Sequence, residues 1–280
     1  MKKTVLLLGD RGKIGYPINH VLKGYHYNVV GKNTSNYNAL NNDETESIIK
    51  QINPDVVINA IGLTSTDRCE QNPVNAFRLN ALFPRLLAEQ SNKYGFLLIH
   101  FSTDAVFDGK KGSPYDEFDT PNPMSVYSMT KLDGDISISN IAHRFYILRL
   151  SLVFGPSPGH GSFIEHMMQQ ANNGVKSLHI ADDLVRSPTY NMDIAKEVIQ
   201  FIKDYRDYGV YHVANRGIVS LYNLIKQVMN CFDVDVNVEH ASYRDFPYSG
   251  YKHIFTPIVS KKLDDFRNWM DALQDYRRMV

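Results

Sequence analysis

Cysteine is scarce in this chain: two residues, Cys69 and Cys231, far apart. That excludes a disulfide framework and a thiolate metal site, and it points to a reducing, cytoplasmic setting. An excess of either charge is missing as well. Lysine plus arginine and aspartate plus glutamate number 30 each. A nucleic-acid or membrane-surface partner would ask for a basic surplus, so neither is expected. Long apolar runs are absent. None approaches the roughly 18 residues of a membrane span. The run in MKKTVLLLGD is short and leads directly into GDRGKIG without a small-residue cleavage site, so it reads as a buried strand rather than a signal peptide. The 10 histidines are scattered, with no H-x-x-x-H pair beside a carboxylate, and no metal site is expected. Repeats and low-complexity tracts are also absent.

What the chain does have is apolar content, 43% of 280 residues, enough for one large domain or two interlocked ones. In the first half, short β-branched runs alternate with helical patterns: TVLLLG, KIGYPINHVLKG, YNVVG, ETESIIKQI, DVVINAIG, NAFRLNALFPRLLAEQSNKYG, FLLIHFS, SVYSMTKLDGDISIS and FYILRLSLVFG. Near-continuous apolar runs are the mark of strands covered on both faces, and this alternation predicts an α/β fold with a doubly wound parallel sheet. After Gly155 a glycine- and proline-rich loop, PSPGHGS, leads into a helix. TYNMDIAKEVIQFIKDY and LYNLIKQVMNCF read as helices, with GVYHVA a strand between them. The expected organisation is a nucleotide-binding Rossmann domain over 1–155. A smaller lobe over 156–280 follows, with parts of it returning to the sheet.

Gly9, Gly12 and Gly15 stand directly after the first strand and open a helix. Such a turn lets backbone approach a pyrophosphate, and the helix N-terminus offers N–H groups and a positive dipole end. The second strand ends in Gly31-Lys32-Asn33, where an NAD-type site would place an acid. Lys32 and Arg11 are therefore candidates to pair with a 2′-phosphate, favouring NADPH with NADH as the second option. Tyr127 and Lys131, four residues apart, share one face of a helix. A phenol near pKa 10 is high for proton transfer at neutral pH, and an adjacent ammonium is expected to lower it.

Taken together, the glycine loop, FSTDAVFDG and VYSMTK resemble the extended short-chain dehydrogenase/reductase family, and within it the nucleotide-sugar reductases of the dTDP-4-dehydrorhamnose reductase type. VVINAIGLTSTDRCEQNP, LRLSLVFG and RSPTYNMDIA carry the likeness further, and past about residue 215 it thins out. The resemblance implies a catalytic triad of Thr103, Tyr127 and Lys131. It implies NADPH contacts from Gly9, Arg11, Gly12, Lys13, Ile14, Gly15, Lys32, Asn59, Ala60, Gly62, Ser102, Tyr127, Lys131 and Leu152. Thr64, Asp104, Phe154 and Arg186 are the implied contacts to a nucleotide-diphosphate sugar. Asn80 is similar to an asparagine near the family's active site. Related dehydratases carry Asp-Glu after the threonine, because elimination of water needs an extra acid and base. Here the residues are Asp104-Ala105, which fits simple ketoreduction of a 4-keto-6-deoxysugar. The family often shows tryptophan in the segment where this chain has Leu152, and the single tryptophan is Trp269. The alternatives are a non-catalytic regulatory subunit of the methionine adenosyltransferase beta type and a nucleotide-sugar epimerase/reductase. A homodimer through helices flanking the sheet is a further expectation.

Overall fold

The structure, a computed structural model, describes residues 2–158, 161–204, 206–264 and 266–280. Its central sheet has six parallel strands. Five are β1 (Thr4–Leu8), β2 (Asn28–Lys32), β3 (Val56–Asn59), β4 (Leu97–Thr103) and β5 (Phe145–Leu150), and the sixth is Gly209–Val213. Their spatial order is sixth, β5, β4, β3, β1, β2. β1 shows why these runs are apolar throughout. Strand side chains alternate between faces. Val5 and Leu7 enter one core, against helices Gly15–Gly24 and Asn191–Lys203. Leu6 and Leu8 enter a second, against helices Asn42–Ile52, Phe83–Tyr94 and Val126–Ile141. Both faces are buried, so polar alternation has no place.

A third core lies outside the sheet, around helices Leu221–Cys231 and Trp269–Met279, where Trp269 is buried. It also contains a parallel pair of strands, Ser177–Ala181 and Asn237–Ala241, that the sequence reading missed. Their alternating polar residues look like loop because only one side of this two-stranded unit is covered. Strand Gly209–Val213 pairs with β5, and helix Asn191–Lys203 packs in the same core as helix Gly15–Gly24. The helix begins at Asn191 rather than Thr189, because Thr189–Tyr190 pair with Val153–Phe154. Its expected last residue, Tyr205, and Gly159 and His160 of the loop after Gly155 lie outside the described residues.

Two expected continuous elements are broken. FYILRLSLVFG divides after Leu150, and Leu152 takes φ 30° before a short strand resumes at Val153. The long helix of NAFRLNALFPRLLAEQ is α-helical over Pro73–Phe77, a π-turn over Arg78–Leu82, and α-helical again over Phe83–Tyr94. Pro84 explains the π-turn. Proline offers no N–H to the carbonyl four residues earlier, here that of Asn80, and its ring crowds that oxygen. Gly134 of the neighbouring helix fills the resulting gap: a Cβ there would lie 2.3 Å from the Asn80 oxygen. No helix among the described residues is long and apolar enough to cross a membrane.

Candidate active site

A cleft of about 570 Å³ opens at the C-terminal ends of β1, β3, β4 and β5, where open α/β sheets bind ligands. At one end lies the glycine turn. Gly9 adopts φ 88°, and a Cβ on it would sit 2.8 Å from the Ala60 carbonyl oxygen. Gly15 is tighter still, its virtual Cβ 2.0 Å from the Gly9 oxygen. These two glycines shape the turn from behind, while Gly12, Lys13 and Ile14 line the cleft. Helix Gly15–Gly24 starts without a side-chain cap and without an acid in its first turn. Its terminal N–H groups and dipole are thus left to attract an anion.

The end of β2 differs from expectation. The sequence puts no acid there, yet Asp10 from the glycine turn packs its carboxylate against Gly31 and accepts from Asn33 Nδ2 at 2.8 Å. Lys32 contributes its carbonyl, which accepts from the N–H groups of Gly9 and Asp10 at 2.7 and 3.2 Å. Arg11 is exposed at the same corner. An acid reaching β2 from another loop leaves no local signal in the β2 sequence.

After β3, Asn59, Ala60, Gly62 and Thr64 line the cleft. Asn80 holds this loop. Its Oδ1 accepts from Leu63 N–H, and its Nδ2 donates to the Leu63 oxygen, both at 2.9 Å, and also to Thr130 Oγ1 at 3.2 Å. Fully buried in the π-turn, Asn80 acts by positioning the loop.

Helix Val126–Ile141 carries the tyrosine and lysine. A Ser125–Ser128 capping box fixes its start, and Glu70 accepts from Val126 N–H at 2.9 Å. Tyr127 therefore sits in a well-anchored first turn, beside Thr103 at the end of β4, and both line the cleft with Lys131. Thr103 Oγ1 accepts from Ala105 N–H at 3.1 Å and donates to Asp104 Oδ1 at 3.2 Å. The expected acidification of Tyr127 by Lys131 is not seen. Burial pushes the phenol above its ordinary value, Thr103 opposes this, and the nearby Asp104, Cys69 and Asp135 add to it. Lys131 donates to the Phe101 carbonyl at 2.6 Å and lies 3.1 Å from His100 Nε2. Burial lowers Lys131 to about 8, against the pull of Asp135. Ser102 also lines the cleft but donates to Asp135 Oδ2 at 2.7 Å, which in turn meets Arg149 Nε at 3.4 Å.

Two of the implied substrate contacts do not line the cleft. Phe154 has no exposed surface and stacks on Tyr190 in the third core, because the strand after Leu152 points it inward. Arg186 lies outside the cleft lining. It donates to the carbonyls of Val185, Ile254 and His253, with its Nε 3.7 Å from Asp104 Oδ2. Asp104 does line the cleft, and it also accepts from Ser151 Oγ and Thr256 Oγ1, each at 2.8 Å. Leu152 lines the cleft. Sequence reasoning missed Glu165, which pairs with Lys13 at 3.0 Å and accepts from Gly155 N–H at 3.0 Å. The pair ties the glycine turn to the loop bearing Gly161 and Ser162, which close the cleft's other wall. The serine-to-glutamate spacing of a capping box was the available signal.

Comparison with known proteins agrees with this geometry. The chain is 32% identical over 225 residues to a dTDP-4-dehydrorhamnose reductase of Aggregatibacter actinomycetemcomitans, covering 78% of this chain and 76% of that protein. Its fold matches the crystal structure of a dTDP-4-dehydrorhamnose reductase from Clostridium acetobutylicum with a TM-score of 0.93 and 28% identity, over 99% of each chain. It also matches one from Bacillus anthracis, solved in complex with NADP, with a TM-score of 0.95 and 24% identity over the whole of both chains. The family model described as RmlD substrate binding domain matches residues 1–276, and the chain belongs to that family.

Proposed function

We propose that this protein is an NADPH-dependent oxidoreductase that reduces the 4-keto group of a nucleotide-linked 4-keto-6-deoxysugar, of the dTDP-4-dehydrorhamnose type, in deoxysugar and polysaccharide biosynthesis. The observation that carries the reading is convergence: a glycine turn fit for a pyrophosphate and a Thr–Tyr–Lys set open onto one cleft. Residues 1–155 serve as the cofactor domain and the third core as the substrate lobe.

Bound NADPH supplies hydride to the carbonyl carbon. Gly12, Lys13 and Ile14 would hold its pyrophosphate, and Asn59, Ala60 and Gly62 would line the path toward the nicotinamide. Arg11 and Lys32 stand at the corner where a 2′-phosphate would lie. Thr103 rotates its hydroxyl from Asp104 toward the sugar oxygen and orients it. Tyr127 gives that oxygen its proton, so that a ketone becomes an alcohol. At neutral pH Tyr127 is in the O–H form and so carries the proton that this step consumes. Asp104 stays engaged by the Ser151 and Thr256 hydroxyls and lies beside Arg186, so it is not a free acid for dehydration.

The test is NADPH oxidation on adding a dTDP-4-keto-6-deoxysugar, with UDP, GDP and CDP counterparts run in parallel. Turnover with one of them is expected. Tight NADPH binding with no turnover on any would overturn the reading and favour the regulatory alternative.

A further inference from the structure

Behind the catalytic lysine lies a histidine to which the mechanism assigns no role. His100 is fully buried in the middle of β4. Its Nε2 is 3.1 Å from Lys131 Nζ and its Nδ1 is 3.0 Å from Asn59 Nδ2. Asn59 is fixed in orientation, because its Oδ1 accepts from Ile61 N–H at 3.1 Å. Turning the amide over would set its NH₂ against that N–H. The NH₂ therefore faces His100, and Nδ1 must be the acceptor. A neutral imidazole carries one N–H, so the proton sits on Nε2 and points at Lys131. An ammonium there sets donor against donor, whereas an amine accepts the Nε2–H and still donates to Phe101.

We propose that His100 is a positioning residue that presents its Nε2–H to Lys131 and so makes the catalytic lysine a titrating group rather than a fixed cation. The inference rests on the ketoreductase reading above. It gives Lys131 a task in the proton supply: as an ammonium it returns a proton to the Tyr127 phenolate left after the sugar oxygen is protonated, and the resulting amine is the form that His100 stabilises. Solvent then reloads the amine. The surroundings agree. Burial and the neighbouring Lys131 hold the imidazole well below its ordinary value, so it stays neutral. Lys131 itself is pulled down by burial. Of the other charged groups, Asp135 on the same helix favours the ammonium but is shared with Arg149 of β5 and Ser102 of β4. Asp104 and Cys69 face Tyr127.

The first readout needs no substrate. Nitrogen-15 histidine spectra should show His100 as the Nε2–H tautomer through the neutral range, and an Nδ1–H tautomer would overturn the proposal whatever the enzyme reduces. The second readout is the pH profile of kcat/KM. In His100→Gln the amide oxygen can face the ammonium, so the basic limb assigned to Lys131 should move up by about one pH unit, close to tenfold in activity on that limb, with KM for the nucleotide sugar little changed. Asn59→Asp should raise the same limb by another route, since a carboxylate would accept from both Ile61 N–H and Nδ1–H and force the other tautomer; because Asn59 also lines the cofactor path, its profile is taken at saturating NADPH. Profiles of both variants that superimpose on the parent's would overturn the proposal and leave His100 as packing.

Discussion

Gly15→Ala and Gly24→Ala add the same methyl group to the first and last residues of one helix, with opposite consequences. At Gly15 the new Cβ would lie 2.0 Å from the carbonyl oxygen and 2.7 Å from the carbonyl carbon of Gly9. Both neighbours are backbone, so no side chain can swing aside, and the turn must retreat by roughly an ångström. Overpacking costs about 1–3 kcal/mol, and a backbone clash belongs at the upper end, about 3. Unfolding entropy near 2.1 cal/mol/K per residue makes that about 5 °C in Tm for a chain of 280 residues. At Gly24 nothing lies within 4 Å. There, removing glycine's conformational freedom should gain about 0.5–1 kcal/mol, roughly 1 °C. Calorimetry of both variants with and without NADPH is the assay. Gly15→Ala should also lose most of the ligand-linked stabilisation. A Gly15→Ala protein as stable as the parent, with its NADPH shift intact, would refute the close-packed turn.

Asn80→Ala leaves the Leu63 N–H and carbonyl without their partners and should cost about 2–4 kcal/mol by urea unfolding, together with a fall in kcat/KM as the loop over Ala60 to Thr64 loosens. At the corner beside β2, Lys32→Asp should shift preference toward NADH and Asp10→Asn toward NADPH. Kd ratios for the two cofactors check this, and unchanged ratios would show that neither residue reads the 2′ position. Folding stability should decline as pH falls below about 6.5. Burial holds His100, His212 and His253 below their ordinary value, so the unfolded chain binds more protons there. For His212 the decline continues to about 4. Urea midpoints across this range should fall, less steeply in His212→Gln.

How much of this was legible in the sequence follows from which contacts are local. The strands of the main sheet are readable because burial on both faces leaves their residues uninterrupted apolar runs. Tyr127 and Lys131 are readable because one helical turn brings them onto one face. The sequence reading ran one helix through Pro84, and the π-turn there shows only once Asn80 is seen bonded across to Leu63. The relation of Lys131 to Tyr127 was misjudged for the same reason. Sequence spacing puts the ammonium near the phenol, while His100 on β4 and the Phe101 carbonyl, 30 or more residues away, decide where it points. Asp10 beside Gly31 is likewise a product of strand order. Phe154 was named from the resemblance alone, and its stacking on Tyr190 away from the cleft is a contact across the fold with no local signal. The lobe strands Ser177–Ala181 and Asn237–Ala241 stay hidden because a two-stranded unit exposes half its side chains.

The most direct test of the central claim is single-turnover reduction of the preferred nucleotide 4-keto sugar by the parent and by Tyr127→Phe, each loaded with NADPH. Losing a positioned general acid costs about 10²–10⁴-fold. Hydride transfer should fall by that much, while the Kd for NADPH stays within about twofold, because the removed hydroxyl contributes to the chemistry far more than to cofactor binding. A Tyr127→Phe protein that reduces the sugar at close to the parent rate would contradict the account.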